Sequence, residues 1–152
     1  KPDLAIDGAD QIDPQLNLIK GMGGALTQEK AVGSAARRLV IVADETKMVD
    51  KLGTNQPVPV ETLPFALTPA MLRIQEAGGK PVLREGRGKV GPVVTDNGNF
   101  ILDVDFGPIT EPKELSLKLK SIPGVIETGL FIELVDTVYV GTPTTVRRLR
   151  RK

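Results

Sequence analysis

Two apolar runs, each closed by an aspartate, constrain this chain more than any other feature. Leu4-Ala5-Ile6 reads as a short buried strand that stops at the turn signal Asp7-Gly8. Residues 39–43, LVIVA, form a second run of strand length and again end in an acid, Asp44. Between them lie the glycine loop Gly21-Met22-Gly23-Gly24, Thr27 as a candidate N-cap, and a helix expected over residues 28–38 with Ala31, Val32, Ala35 and Ala36 on one side. Strand, glycine loop, helix and strand make a βαβ unit, whose strands pair in parallel through a right-handed crossover. The fold class is therefore α/β. Open sheets of this kind bind ligands outside the carboxyl ends of their strands, which is where both aspartates fall.

The residues at that rim form a set. Asp10 follows Asp7, a second apolar group (Leu16, Leu18, Ile19) leads to Lys20, and Lys20 runs directly into the glycine loop. Glu29 falls in the first turn of the expected helix. Gly8, Ala9, Gly21, Gly23 and Gly24 let the backbone approach a ligand closely, and a helix N-terminus favours negative charge. A sugar phosphate or an enediolate suits such a place. Taken singly, Asp7 and Asp10 read as turn caps, Lys20 as a solvated charge and Glu29 as a complement to the helix dipole. Taken together, two Asp, one Lys and one Glu around one strand end favour chemistry. Lys47, after Asp44, is on the same rim and reads equally well as a site residue or a helix-surface charge.

Composition narrows the chemistry. The 152 residues contain neither cysteine nor histidine, which removes thiol and imidazole mechanisms and zinc sites built from those ligands. Proton transfer must fall to carboxylates, lysines or water. No metal or other cofactor is called for. Net charge is +1, yet five of the last six residues are basic, so the rest of the chain carries −4 and a nucleic-acid partner is not expected. The basic tail reads as a solvated helix end. No apolar run approaches the roughly 18 residues of a membrane span, and a soluble, cytoplasmic protein is the expectation.

After Gly53 the texture changes, with three prolines between residues 57 and 64, marking a boundary. Strands are expected over 58–63, 81–84, 93–95, 100–104 and 125–132. Helices are expected from Thr68-Pro69 to Ala77 and from near Thr110 to Lys120, with Leu115 and Leu119 sharing a face and Leu117 turned away. Asn97-Gly98 marks a hairpin turn, and residues 85–91 a mobile loop. The order β, α, β, β, α, β matches the ferredoxin-like pattern. Residues 137–140 then return to the first sheet, and Thr142-Pro143 is expected to open a C-terminal helical turn. The expected organisation is a partial Rossmann-like domain, 1–53 plus 133–152, with an inserted ferredoxin-like α+β unit, 54–132.

The strings DGADQID and LNLIKGMGGALTQEK, followed in order by VADETKMVDKLG, PVPVE, VTDNGNFILD, IPGVIETGLF and VYVGTP, resemble the type A ribose-5-phosphate isomerase family over essentially the whole chain. The chain departs from the family at Met22, where a glycine or another small or polar residue is usual. The family's N-terminal half carries a Gly/Ser/Thr-rich phosphate loop that nothing here matches. The chain is therefore expected to be the C-terminal two-thirds, lacking part of the phosphate site. The resemblance implies interconversion of ribose 5-phosphate and ribulose 5-phosphate, a homodimer or homotetramer associating through the small lobe, and a lysine at position 47 near the bound sugar phosphate.

Moving a carbonyl between adjacent sugar carbons requires a base that removes a proton from one and returns it to the other. Glu29 is the expected base, by its place and its match to the family's catalytic glutamate. Lys20 and the first-turn N–H groups are expected to stabilise the oxyanion. Asp7 matches the residue linked to ring opening, while Asp10 is expected to orient hydroxyls and hold Lys20. Two other readings stand beside this one: a non-catalytic sugar-phosphate-binding effector domain, and an inactive fragment of the isomerase.

Overall fold

The computed structural model describes residues 1–86, 88 and 90–151. Part of the loop expected over 85–91, and the final residue of the basic tail, lie outside the described residues. In chain order the elements are β1 (Ala5–Asp7), β2 (Gln11–Ile12), β3 (Leu18–Ile19), α1 (Leu26–Ala35), β4 (Leu39–Asp44), β5 (Val58–Thr62), α2 (Leu67–Glu76), β6 (Lys80–Leu83), β7 (Phe100–Asp105), α3 (Pro112–Lys120), β8 (Val125–Thr128), β9 (Leu130–Phe131), β10 (Thr137–Gly141) and β11 (Val146–Arg150).

They form three sheets. The first, ordered β1-β4-β10-β11, is parallel across β1, β4 and β10, as the βαβ pattern predicts. One of its faces, with Leu39, Ile41, Val138 and Val140, is buried in a core with Ile12, Leu18 and Phe131. The second, β2-β3-β9, contains a hairpin between β2 and β3 that is not among the expected elements. Asp13 shapes its turn by accepting from the N–H groups of Gln15 and Asn17, and Leu16 there adopts φ +60°. The third, ordered β6-β7-β5-β8, is wholly antiparallel, the ferredoxin-like arrangement expected from its element order. Its core joins Val58, Val60, Leu102 and Val104 to Ala70 and Ile74 of α2 and Leu119 of α3.

Several local expectations are corrected. Strand β1 is not buried: Ile6 is 64% exposed and Leu4 43%, because β1 pairs only with β4 among the described residues and one side of it faces solvent. Helix α1 begins at Leu26 and ends at Ala35, and Thr27 is inside it rather than capping it. It buries Leu26 and Gly33 and leaves Ala31, Val32 and Ala35 exposed, so the inward face is not the expected one. In α2, Thr68 likewise falls within the helix, whose N-cap is Ala66. Residues 93–95 form an isolated bridge between Val94 and Phe100 rather than a strand, though the turn at Gly98 (φ +77°) is present. The expected strand 125–132 is split at Gly129, after which β9 joins a different sheet.

The tail is a strand, not a helical turn. Thr142 donates its N–H to the Thr145 carbonyl and reverses the chain, so β11 pairs antiparallel with β10. Arg148 then lies 5.7 Å from the centre of the Tyr139 ring, a cation–π contact on an otherwise solvated strand.

Candidate active site

The sequence between β1 and α1 folds so that Lys20 points back under the end of β1. Its position is fixed through the backbone, because the Lys20 N–H donates to the Gly129 carbonyl at 2.9 Å as the chain leaves β3. The side chain is almost fully buried. Its ammonium lies 3.0 Å from Asp7 Oδ2 and 3.2 Å from Glu29 Oε2, and donates to the Gly8 carbonyl at 2.7 Å. It also stands 5.7 Å from the centre of the Phe131 ring. One cation thus bridges two carboxylates. A lysine this deeply buried requires such compensation, since a charge taken out of water without partners is costly.

Glu29 is in the first turn of α1, where a carboxylate complements the helix dipole. Its Oε2 is shielded from solvent and accepts no hydrogen bond; Lys20 is at ion-pair distance without hydrogen-bond geometry. The Glu29 N–H bonds to the Ala25 carbonyl, so the amides of Leu26, Thr27 and Gln28 lie in the helix's unpaired first turn. Beside Asp7 and Glu29 opens a hollow of about 260 Å³, walled also by Ile6, Ala25, Gln28 and Val32.

The glycine loop is held from two sides. Asp10 Oδ2 accepts the Met22 N–H at 3.1 Å, and Arg84 Nη1 donates to the carbonyls of Gly21 (2.9 Å) and Met22 (3.1 Å). The Arg84 guanidinium is itself locked in a two-pronged pair with Asp103. The Gly24 N–H closes a turn on the Gly21 carbonyl. Gly21 (φ +110°) must be glycine, since a Cβ there would stand 3.0 Å from Leu26 and 3.2 Å from Pro59.

Of the expected site residues, then, Asp7, Lys20, Glu29 and Gly8 come together, and Gly21, Gly23 and Gly24 form the adjoining loop. Asp10 does not hold Lys20; its carboxylate is taken by the Met22 N–H, so it acts on the loop instead. Ala9 packs against the core. Lys47 is in the short helical turn Glu45–Lys47 that follows Asp44, near the same sheet end, with no ion pair to Asp7 or Glu29 among the described residues. Asp44 caps that turn by accepting from Thr46, and these hydrogen bonds hold its carboxyl below the usual range. No cluster of three or more Asp or Glu is placed to hold a metal among the described residues. No helix of the described chain is long and apolar enough to cross a membrane.

Four supporting residues carry no signal of their role in the sequence. Arg84 and Asp103 are far apart in the chain and meet only because β6 and β7 are neighbours. Lys30 turns away from the rim to bond Glu127 (2.7 Å) and the Leu130 carbonyl (3.0 Å), fastening α1 to β8 and β9. Burial lowers the Lys30 ammonium below the ordinary lysine range despite Glu127. The fourth, Glu61, is the one charged residue of the VPVET strand, and nothing nearby in the chain assigns it a partner.

Fold and side chains together define an α/β protein whose acid–base groups, two carboxylates on one lysine, are gathered at the carboxyl end of a parallel strand beside a glycine loop. The chain belongs to the ribose 5-phosphate isomerase A (phosphoriboisomerase A) family, whose model matches residues 1–145. It is 53% identical to ribose-5-phosphate isomerase A of Thermosynechococcus vestitus over 93% of its length, and 57% identical to that of Methanosarcina acetivorans over 91%. It spans 60% and 58% of those relatives. The ribose 5-phosphate isomerase A structure from Methanocaldococcus jannaschii superposes with a TM-score of 0.93 at 47% identity, covering 97% of this chain and 65% of that one. A D-ribose-5-phosphate isomerase in complex with phospho-erythronic acid gives 0.95 at 46%, covering 98% and 65%.

Proposed function

We propose that this chain carries the acid–base half of an aldose–ketose isomerase acting on ribose 5-phosphate and ribulose 5-phosphate. The observation that carries the reading is the buried Lys20 ammonium shared by Asp7 and Glu29. Glu29 Oε2, with no hydrogen bond to satisfy it, is the proton acceptor. It takes the proton from C2 of the open-chain aldose, the electron pair moves to form an enediolate with the charge on the C1 oxygen, the C2 hydroxyl proton passes to that oxygen, and the same carboxyl returns the carbon proton to C1 as the C2 oxygen becomes the ketone. Lys20 faces the developing oxyanion with the unpaired first-turn amides of α1. Asp7, paired with Lys20, is the group for ring opening. The complex of a close structural neighbour with phospho-erythronic acid supports this reading, since that ligand's carboxylate carries the planarity and charge of an enediolate.

Gly8, Gly21, Gly23 and Gly24 line the substrate in this proposal, and Lys47 approaches its phosphate. The division into 1–53 plus 133–152 and 54–132 follows the strand pairing, apart from Leu130 and Phe131, which pair with β3. We place the protein in the cytoplasm, as a homodimer or homotetramer using the small unit, where Phe65 is 99% exposed.

The test is turnover of ribose 5-phosphate in deuterium oxide by the protein carrying this chain, with Glu29→Gln in parallel. Solvent deuterium should enter the product, and the variant should lose at least about 10²-fold in kcat with KM much less changed. Near-normal turnover by Glu29→Gln would overturn the assignment of the base. Retained sugar-phosphate binding without any turnover in the parent would favour the effector-domain reading.

A further inference from the structure

Behind the helix that bears Glu29 lies a carboxylate the proposed chemistry does not use. Glu61, in the middle of β5, is fully buried, and it forms no ion pair among the described residues. Neutral donors meet its charge instead. Thr95 Oγ1 (2.8 Å), Asn99 Nδ2 (2.9 Å) and Asn97 Nδ2 (3.1 Å) converge on Oε1, while Thr27 Oγ1 donates to Oε2. Burial alone would raise this carboxyl; the hydrogen bonds from Thr27, Asn99, Asn97 and Thr95 together outweigh it and hold the group below the ordinary glutamate range.

A buried charge without a counter-ion is costly, and an apolar side chain would fill the same space in a sheet interior at lower cost. What Glu61 provides and a leucine could not is a multiple acceptor. One of its oxygens gathers the turn around Asn97; the other reaches α1 in its first turn, two positions before Glu29. That turn has no side-chain cap at Ala25. An uncapped first turn frays readily, because its amides have no partners within the helix.

We propose that Glu61 is a positioning residue: through the Thr27 hydroxyl it fixes where the Glu29 carboxylate stands relative to Lys20. The proposal rests on the reading of Glu29 as the base. An error of about 1 Å in such a placement costs roughly 10²-fold in rate, and the Lys20–Glu29 separation of 3.2 Å leaves little room for one.

The test uses Thr27→Val, which keeps the shape and removes the donor, and Thr27→Ser, which restores it, in the protein carrying this chain. Glu29→Gln is run alongside. Thr27→Val should lose about 10-fold to 10²-fold in kcat with KM moved by less than about threefold, and Thr27→Ser should recover to within about threefold of the parent. Parental kcat in Thr27→Val, or equal losses in the Ser and Val variants, overturns the proposal. Carbon-13 NMR of the glutamate carboxyls at a fixed neutral pH separates this from the underlying reading: the Glu29 resonance should move in Thr27→Val and return in Thr27→Ser whatever the turnover. An unchanged Glu29 resonance in Thr27→Val refutes the positioning role, while retained turnover in Glu29→Gln refutes the base assignment alone.

Discussion

Lys20 and Glu29 meet at 3.2 Å across the end of a single strand, with Asp7 completing the contact on the other side of the ammonium. Removing the cation leaves two half-buried carboxylates side by side without a counter-charge. Lys20→Met keeps an unbranched side chain in the same space and removes the charge. Turnover should fall about 10²-fold or more in kcat. A change confined to KM would show that Lys20 only holds substrate.

Arg84 reaches the Gly21 carbonyl at 2.9 Å from an element far along the chain, and its other nitrogens engage Asp103. Arg84→Met should therefore both orphan Asp103 and release the glycine loop. The expected loss is about 1–3 kcal/mol by urea denaturation, with faster hydrogen exchange at the Gly24 amide, which bonds back to Gly21. Arg84→Lys should not restore the parent, since a single ammonium cannot serve Asp103 and two carbonyls in one plane. Unaltered Gly24 exchange in Arg84→Met would show that the loop holds itself.

Acid stability should report Glu61 and Glu127. Burial opposes ionisation at both, but neutral donors at Glu61, and Lys30 at Glu127, hold the folded-state carboxyls below the ordinary range. A group depressed in this way stabilises the fold fully above its unfolded value of about 4.3, and loses that contribution as pH falls through the folded value. Urea midpoints should drop below about pH 4.5, with a shallower dependence in Glu61→Gln. Lys30 has the opposite sign. Its ammonium is lowered by burial, so between its folded value and the ordinary lysine value the unfolded chain holds more protons, and its contribution grows as pH rises. Identical acid slopes in the parent and Glu61→Gln would refute the account of Glu61.

Gly129 separates β8 from β9 where the backbone passes Lys20. A Cβ at this position would stand 2.2 Å from the Lys20 carbonyl oxygen and 2.8 Å from Pro59. Gly129→Ala should cost roughly 1–3 kcal/mol in denaturant unfolding as the backbones part. Gly23→Ala, whose Cβ meets nothing within 4 Å, should change stability by less than about 0.5 kcal/mol.

What could be read from the sequence was what depends on local pattern. The parallel pairing of β1 with β4 and the ferredoxin-like order follow from apolar runs and turn residues in succession. The cluster of Asp7, Lys20 and Glu29 follows from strand, loop and helix being adjacent in the chain. What escaped depends on which elements become neighbours. The Arg84–Asp103 pair needs the β6–β7 register, and the inward face of α1 was misread because its buried side meets β5 and β8 through Thr27 and Lys30 rather than through alanines. Thr27 looked like a cap because a hydroxyl beside a helix start usually is one. Its donor is taken instead by Glu61, 34 residues further along the chain. The C-terminal strand was missed because Thr142-Pro143 signals a helix start as readily as a reversal, and the side-chain and backbone bonds between Thr142 and Thr145 decide it.

The chain enters the antiparallel sheet after β4 and comes back as β10, directly alongside the strand it left. Such a layout invites the view that the piece between them is an interchangeable cassette. Yet Glu61, Arg84 and Gly129 all come from that piece and reach α1, the glycine loop and Lys20. A chimera that grafts a foreign lobe between Asp44 and Thr137 would fold around a disarranged reaction centre unless it also brought these three contacts, so the two sheets are inherited together.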